Sequence, residues 1–260
     1  MHPPSATHFD PGSRSRLGPR DLPRFPAETL FDRVGRAVCE ADCLPRKELY
    51  EAWEVARRAR RRYRGGRVLD LACGHGLLAH LLLLLDDGSP DALAVDVRLP
   101  PSAAKIRDVL AARWPRLAGR VELRAARVED VRASVGDLVV SAHACGALTD
   151  RVLDVAIAAR ARVAVLPCCH DAATSDTGAL GGWLEDAMAI DTTRALRLGA
   201  QGYVVHTQTI PAAITPKNRL LLGAPASGGE GSAREDQEGG GADGERQPGH
   251  GEDQEHGRGG

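Results

Sequence analysis

The stretch VLDLACGHGLLAHLL, residues 68–82, decides the fold, because two glycines in it separate two apolar runs. The first run predicts a buried strand, and the second, Leu77 to Leu85, predicts a helix that residues 86–88 end. Gly74 and Gly76 lie in the connecting turn, where a missing side chain lets a ligand approach the backbone. A helix that begins after such a turn points free amides at the ligand. The sequence therefore predicts a cofactor-binding turn.

Strands and helices alternate on both sides of this turn. Strands are predicted at residues 93–97, 121–125, 138–142, 163–166, 203–209 and 219–222, and helices from residue 28, at 46–64, 103–114 and 150–159, and near 183–188 and 192–198. This order predicts an α/β fold with a mostly parallel sheet covered on both faces. The last two strands, joined by a loop too short for a helix, predict an antiparallel hairpin.

Composition predicts four segments. Residues 1–26 are rich in Pro, Ser, Gly and Arg and are expected to be flexible, and residues 27–66 form a short helical extension. Residues 67–224 form the main domain. Residues 225–260 contain no large apolar side chain, so they are expected to be a disordered acidic, Gly-rich tail.

Charge and cysteine content restrict partners and location. Residues 225–260 carry nine acidic residues and three arginines, so the rest of this chain of net charge −1 has a net charge of +5. A basic body is compatible with a polyanionic partner, for which an acidic tail would compete, but the simpler explanation of the tail is a solvating segment. No apolar run is long enough to span a membrane, and the six cysteines are scattered. We therefore expect a cytoplasmic protein with reduced thiols and no membrane partner.

Three cofactor classes use glycine-rich turns of this kind. The phosphate-loop pattern GxxxxGK[ST] is absent, which argues against a nucleoside triphosphate. Gly74 to Ala79 fits the spacing of a dinucleotide turn, with Asp96 at the end of the next strand. Asp70 separates the remaining two classes, because a carboxylate there would repel a pyrophosphate but stabilise the ammonium and sulfonium of S-adenosylmethionine. The alternative is that Asp70 only caps the following helix.

The segment DLACGHG, together with Asp96, resembles motif I of the class I S-adenosylmethionine-dependent methyltransferases. The resemblance implies a Rossmann-like fold of this class, with a seven-stranded sheet. It also implies that Asp70 and the backbone around Ala72, Gly74 and Gly76 hold the methionine part of the cofactor.

The resemblance assigns the rest of the cofactor to the next two strand ends. Asp96 is expected to hold the ribose diol, with Val97 or Arg98 beside the adenine. Arg127 stands where such enzymes often have an acid, so the adenine amine is assigned to the backbone of Val128 or to Glu129.

Two further motifs follow the fourth and fifth strands: SAHACGALTD, residues 141–150, and LPCCHD, residues 166–171. Both are expected at the carboxyl edge of the sheet, beside the cofactor. A hydroxyl acceptor needs a base, and His143 or His170 is a candidate, oriented by Asp150 or Asp171. In the alternative, His143 only hydrogen-bonds to the cofactor or the backbone.

The cysteines of the same motifs suggest two other chemistries. Cys145, Cys168 and Cys169 stand where pyrimidine C5-methylating enzymes have a nucleophilic thiolate, so Cys145 is a further catalytic candidate. A zinc site is not predicted, because adjacent cysteines rarely share one tetrahedral site and the C-x₂₋₄-C spacing is missing.

The paired motifs H-x-C-G-x-x-T-D and C-C-H resemble one branch of methyltransferase domains. This branch includes the tRNA acceptor-stem ribose 2′-O-methyltransferases and the methyltransferase-like domain of glutathione-S-transferase C-terminal-domain-containing proteins. The resemblance covers residues 67–223. The tRNA enzymes carry Cys/His zinc-finger modules that this chain lacks, so their acceptor does not transfer with the resemblance.

A basic helix adds to the case for RNA. The arginines of this helix are Arg57, Arg58, Arg60, Arg61, Arg62 and Arg64. They could follow a phosphate backbone. The alternative is that they are only the solvated face of a surface helix. The resulting hypothesis is an S-adenosylmethionine-dependent methyltransferase whose acceptor the sequence does not identify, with RNA, at the ribose 2′-oxygen, as the first candidate. The alternatives are a small-molecule or protein acceptor, an NAD(P)-linked oxidoreductase, and a non-catalytic RNA-binding module.

Overall fold

A computed structural model describes residues 9–226. Seven strands in this range form one sheet in the order β3-β2-β1-β4-β5-β7-β6. Strands β1 to β5 are parallel, whereas β7 runs antiparallel to both β5 and β6. The strands are Val68–Leu71 (β1), Ala92–Asp96 (β2), Val121–Ala125 (β3), Leu138–Ser141 (β4), Arg162–Val165 (β5), Tyr203–Thr209 (β6) and Arg219–Pro225 (β7). The predicted α/β fold, with its C-terminal antiparallel hairpin, is confirmed.

Six α-helices surround this sheet in the described range. They are Leu30–Ala41 (α1), Arg46–Arg62 (α2), Leu77–Leu84 (α3), Ser102–Arg113 (α4), Leu148–Ala159 (α5) and Asp186–Ala200 (α6). Successive strand residues point to opposite faces: Val68 packs in the core beneath α1 to α4, and Leu69 in the core beneath α5 and α6. Burial on both faces explains why the central strands β1 and β4 are almost continuously apolar rather than alternating.

Two predictions of local structure are wrong. The two helices expected near residues 183–188 and 192–198 are one helix, α6, because neither proline nor glycine interrupts the chain between Asp186 and Leu198, and Gly199 lies only in the last turn. The prediction that residues 1–26 are flexible is wrong for residues 9–26. Leu17 and Phe25 in that segment are fully buried, and the Leu17 amide donates to the Leu44 carbonyl at 2.9 Å.

An aromatic cluster explains the order of this segment. Phe9 and Phe25 pack against aromatic rings of α1 and α2, with Phe31 centred 6.0 Å from Phe25. A count of Pro, Gly and Arg misses these few large apolar side chains, which supply the buried surface that holds the segment. The remaining parts of the two flexible ends predicted from composition, residues 1–8 and 227–260, lie outside the described residues.

No helix within residues 9–226 is both long and apolar enough to cross a membrane.

Candidate functional site

The glycine turn joins β1 to α3 at the carboxyl edge of the sheet. Gly74 and Gly76 have φ angles of +53° and +73°, in the left-handed region that favours glycine. A Cβ added to Gly74 would meet nothing within 4 Å, whereas one on Gly76 would lie 3.1 Å from a methyl of Leu123. Gly76 is therefore constrained by packing as well as by conformation. The space above Gly74 is open, as the approach of a ligand requires.

Asp96, the last residue of β2, is hydrogen-bonded to this turn. Its Oδ2 accepts from the Gly74 amide at 3.0 Å, and its Oδ1 accepts from the Arg98 amide at 3.1 Å. The neighbouring Val97 is 71% exposed. Asp96 is thus fixed beside the open face of the glycine turn, with an exposed apolar side chain next to it.

Asp70 lies beneath the turn and is almost fully buried. Its Oδ2 accepts from the Ala79 amide in the first turn of α3 at 3.1 Å, which is the contact expected of a residue that caps the helix. Burial raises the pKa of Asp70 to about 7, the Ala79 hydrogen bond lowers it, and the charge of Asp96 raises it. The carboxyl group therefore titrates near neutral pH, and a cation bound beside it would favour its ionised form.

A small cavity of about 10 Å³ lies next to Asp70. Its wall includes Glu48 of α2 and two histidines, His75 and His143. His75 Nδ1 lies 3.2 Å from Glu48 Oε2. A cavity of this size holds at most one water, so a cofactor would lie above it, at the open face of Gly74.

Glu48 is a site residue that the sequence did not reveal. Burial raises the pKa of its carboxyl group, but the His75 hydrogen bond and the charges of His143, His75 and Lys47 outweigh this and hold the pKa below its usual value. Glu48 belongs to a helix far from the quoted motifs in sequence, and α2 brings it over the glycine turn. A lone glutamate in a charged helix gives no signal of this role.

The predicted adenine contacts lie at the end of β3. Val128 is buried in a short 3₁₀ helix, Val128–Asp130. Glu129 is exposed, and its carboxylate lies 3.5 Å from Arg127 and 4.0 Å from Arg151. The Ala126 amide donates to the Asp96 carbonyl at 3.1 Å, so this loop begins directly beside the end of β2.

The loops after β4 and β5 are joined to each other. The Gly146 amide donates to the Cys169 carbonyl at 3.2 Å. The Sγ atoms of Cys145 and Cys168 are 3.1 Å apart, those of Cys168 and Cys169 are 3.9 Å apart, and all three lie within 4.8 Å of one another. Residues 167–171 have no regular secondary structure, so the backbone of this loop lets the adjacent Cys168 and Cys169 both approach Cys145.

Cys145 is not the most acidic thiol of this cluster. Burial raises the pKa of its thiol. The hydrogen bond with Cys145 lowers the pKa of the Cys169 thiol, burial opposes this, and Cys168 and Lys217 lower it further, so that it ends below its usual value. A raised pKa is the opposite of what nucleophilic attack by Cys145 requires.

Asp150 and Asp171, the carboxylates expected to orient a catalytic histidine, are hydrogen-bonded to other residues. Both oxygens of Asp191, on α6, lie 2.8 Å from Nε2 of His170, so the prediction of Asp150 or Asp171 as its partner is wrong. Asp150 receives two hydrogen bonds from Arg194, at 3.0 and 2.8 Å. Asp171 accepts from the Thr174 hydroxyl at 2.9 Å. Asp150 and His170 are therefore held in a structural network.

Burial raises the pKa of Asp191 in this network. Hydrogen bonds from His170 and Arg219, and their charges, outweigh the effect and hold the pKa below its usual value. Arg194 also reaches Asp191, at 3.3 Å. Asp191, Arg194 and Arg219 carried no signal in sequence, because ion pairs between distant elements leave no local pattern.

The predicted arginine surface is smaller than expected. Arg60 is only 2% exposed: it donates to the Leu82 carbonyl and the Ser89 hydroxyl and pairs with Asp86, so its inclusion is wrong. Arg57 and Arg58 pair with Glu54. Three members of the set are exposed, Arg61, Arg62 and Arg64.

The exposed arginines also lie far from the site. Helix α2 carries Glu48 near one end and Arg62 at the other, which at the helical rise separates them by about 21 Å. Arg62 is hydrogen-bonded to His206 of β6.

Comparison with known proteins agrees with this geometry. A family model described as a methyltransferase domain matches residues 47–175. The match begins in α2, before the domain boundary predicted at residue 67. No curated protein matches the chain significantly.

Several solved structures are similar to this chain at low identity and with TM-scores below 0.5. An O-methyltransferase family protein from Burkholderia thailandensis is 18% identical, with a TM-score of 0.47, over 84% of this chain and 66% of that one. The tRNA methyltransferase TrmK of B. subtilis is 16% identical (TM-score 0.47; 68% and 65% covered). A ribosomal protein L11 methylase from Lactobacillus delbrueckii subsp. bulgaricus is 15% identical (TM-score 0.42; 67% and 76% covered). At these values the likeness carries no information on the acceptor.

The sheet order, the glycine turn and the family match define the class. The chain belongs to the class I S-adenosylmethionine-dependent methyltransferase superfamily, and it is an enzyme of that class.

Proposed function

We propose that S-adenosylmethionine binds over the carboxyl ends of β1, β2 and β3. The methionine part would lie at Asp70, Ala72, Gly74 and Gly76, the ribose at Asp96, and the adenine near Val97, Val128 and Glu129. The observation that carries this proposal is the junction of Asp96 with the open glycine turn. A carboxylate beside exposed backbone suits a ribose diol, and a buried carboxyl group that titrates near neutral pH suits an ammonium.

We further propose that His143 takes the proton from the acceptor. S-adenosylmethionine supplies an electrophilic methyl group, so the protein needs only to align and deprotonate the acceptor. His143 lines the cavity that also contains Glu48 and Asp70. The negative charge of Glu48 would stabilise the imidazolium that forms.

The acceptor we propose is a hydroxyl group, specifically a ribose 2′-hydroxyl of RNA. A histidine base beside the cofactor suits a hydroxyl acceptor, and a basic surface suits a polyanion such as RNA. Arg61, Arg62 and Arg64 form an exposed basic cluster about 21 Å from Glu48. An RNA strand bound at both places would extend along α2.

We also infer a cytoplasmic location. All six cysteines are free thiols, which suits a reducing compartment. We propose that the methyltransferase domain extends through residue 224, with α1 and α2 packed on it rather than forming a separate unit.

Transfer of a labelled methyl group tests the acceptor. Purified protein is incubated with labelled S-adenosylmethionine and with separate RNA, protein and metabolite fractions. The proposal predicts label in RNA, on ribose oxygen after nuclease digestion, and none with Asp96→Ala. Label confined to protein or to small molecules would overturn the RNA acceptor and leave the enzyme class unchanged.

Charge reversal tests the arginine cluster in the same assay. The triple variant Arg61→Glu, Arg62→Glu, Arg64→Glu should raise KM for RNA, with a weaker dependence on salt. The matched control is Arg107→Glu, an exposed arginine of α4. Equal effects of both variants would show that the cluster has no specific role.

A further inference from the structure

Three thiols from two separate loops meet at the carboxyl edge of the sheet. Cys145 follows β4, and Cys168 and Cys169 follow β5. Zinc binds thiolates at about 2.3 Å, which places two sulfurs of one tetrahedral site about 3.8 Å apart. The 3.9 Å between Cys168 and Cys169 matches that value, the 3.1 Å between Cys145 and Cys168 is shorter, and all three sulfurs lie within 4.8 Å of one another.

The two loops are held in this arrangement by other contacts. The Gly146 amide donates to the Cys169 carbonyl at 3.2 Å, and Arg194 donates to the Gly146 carbonyl at 2.9 Å. Arg194 also binds Asp191, which holds His170, the residue after the two cysteines. One buried arginine thus connects both cysteine loops to α6. A ligand set fixed in this way loses little conformational entropy when it binds an ion.

We propose that Cys145, Cys168 and Cys169 bind one thiophilic metal ion, with Zn²⁺ as the expected ion. Three protein ligands with an open fourth position is the pattern of zinc sites that bind water or a substrate, and Cys145 is solvent-exposed. Binding forms three metal–sulfur bonds and releases the thiol protons to solvent, with no change of oxidation state.

The charge around the cluster suits such a site. Three thiolates and one divalent ion carry a net charge of −1. The ammonium of Lys217, from the loop before β7, lies 3.8 Å from Cys169 Sγ and would offset that charge. The closest pair, Cys145 and Cys168, is separated by more than the length of a disulfide bond of about 2.05 Å. The inference does not depend on the methyl acceptor.

Cobalt substitution tests the site in the full chain. The protein is reduced, stripped with a chelator and titrated with Co²⁺ without oxygen. The proposal predicts one equivalent that gives a thiolate-to-cobalt charge-transfer band and the visible bands of a tetrahedral site, both removed by Zn²⁺. Cys145→Ser, Cys168→Ser and Cys169→Ser should each weaken binding by at least about tenfold. Cys43→Ser, a half-buried cysteine outside the cluster, should bind as the wild type does.

Alkylation of the wild-type protein tests the site without any substitution, so the result does not depend on whether a variant folds. With Zn²⁺ bound, Cys145, Cys168 and Cys169 should be protected from iodoacetamide, as peptide mapping can show. Absence of the cobalt charge-transfer band, or equal alkylation of these thiols with and without Zn²⁺, would overturn the proposal. A Cys145–Cys168 disulfide that forms in air while zinc fails to bind would also overturn it, in favour of a redox pair.

Discussion

Asp96 accepts a hydrogen bond from the backbone amide of Gly74 at 3.0 Å. The bond connects the end of β2 to the turn after β1, so the two signals that the sequence separates by twenty-two residues form one surface. The second carboxylate oxygen accepts from the Arg98 amide, which fixes the plane of the side chain. A ligand that touches the glycine turn therefore also meets a carboxylate of fixed position.

Asp70 should make stability depend on pH. Its folded-state pKa of about 7 lies above the unfolded value of about 3.9, so the folded state holds the proton more tightly. The contribution is complete below about pH 4 and is lost as pH rises towards 7, by at most about 1.4 kcal/mol per pH unit. Urea unfolding of wild type and Asp70→Asn should show a difference in free energy that falls from pH 5 to pH 7.

The Asp70→Asn variant serves as the reference because other groups also make the stability of the wild type depend on pH. Burial lowers the pKa of His80 to about 4, so His80 destabilises the fold as pH falls below about 6.5, in the opposite sense to Asp70. Subtracting the Asp70→Asn curve removes this contribution. A difference that stays constant over the range would show that Asp70 is ionised throughout.

Ala72→Gly should stabilise the protein. Ala72 has a φ of +56°, a left-handed conformation that costs an L-residue about 1–2 kcal/mol, while glycine adds up to about 1 kcal/mol of unfolded-state entropy. We expect a net gain of about 0.5–1 kcal/mol in the free energy of unfolding, measured with urea. The control, Ala79→Gly within α3, should lose about 1 kcal/mol. A loss at both positions would refute the strain at Ala72.

Arg194→Met should destabilise the fold by about 3 kcal/mol, because it leaves Asp150 and Asp191 without their buried partner. Arg197→Met is the matched control one turn further along α6. Its partner Asp154 is on the surface, so this change should cost less than about 1 kcal/mol. Chemical denaturation of both variants checks the prediction, and equal losses would argue against the network.

His143→Gln should slow methyl transfer by about 100-fold or more and leave the affinity for S-adenosylhomocysteine unchanged, because it removes the proposed base. His170→Gln should lower the melting temperature with little effect on the rate, since His170 Nε2 is bonded to Asp191. Single-turnover rates with a labelled donor measure both. A larger rate loss for His170→Gln than for His143→Gln would contradict this assignment and indicate that His170 is the base.

The strands and the glycine turn were predictable from the sequence because both depend on local patterns. Apolar runs mark the strands, and Gly74 and Gly76 mark a turn that needs positive φ. The carboxyl edge of a parallel sheet then brings the strand-end motifs together without further information.

The contacts made across the fold were not predictable in this way. Glu48 reaches the site from a helix that precedes the motifs, and Asp191 reaches His170 from α6. Arg60 looks like its exposed neighbours in sequence, yet it is buried because α2 packs that face against α3. Such pairings depend on how elements pack, and residue type alone does not encode them.

Calorimetry with S-adenosylhomocysteine and NADH tests the central claim most directly. The account predicts saturable binding of S-adenosylhomocysteine at one site per chain. That binding should be lost in Asp96→Ala and kept in Asp108→Asn, a change of an exposed carboxylate on α4. NADH should give no heat of binding. Saturable binding of NADH, with none of S-adenosylhomocysteine, would contradict the account.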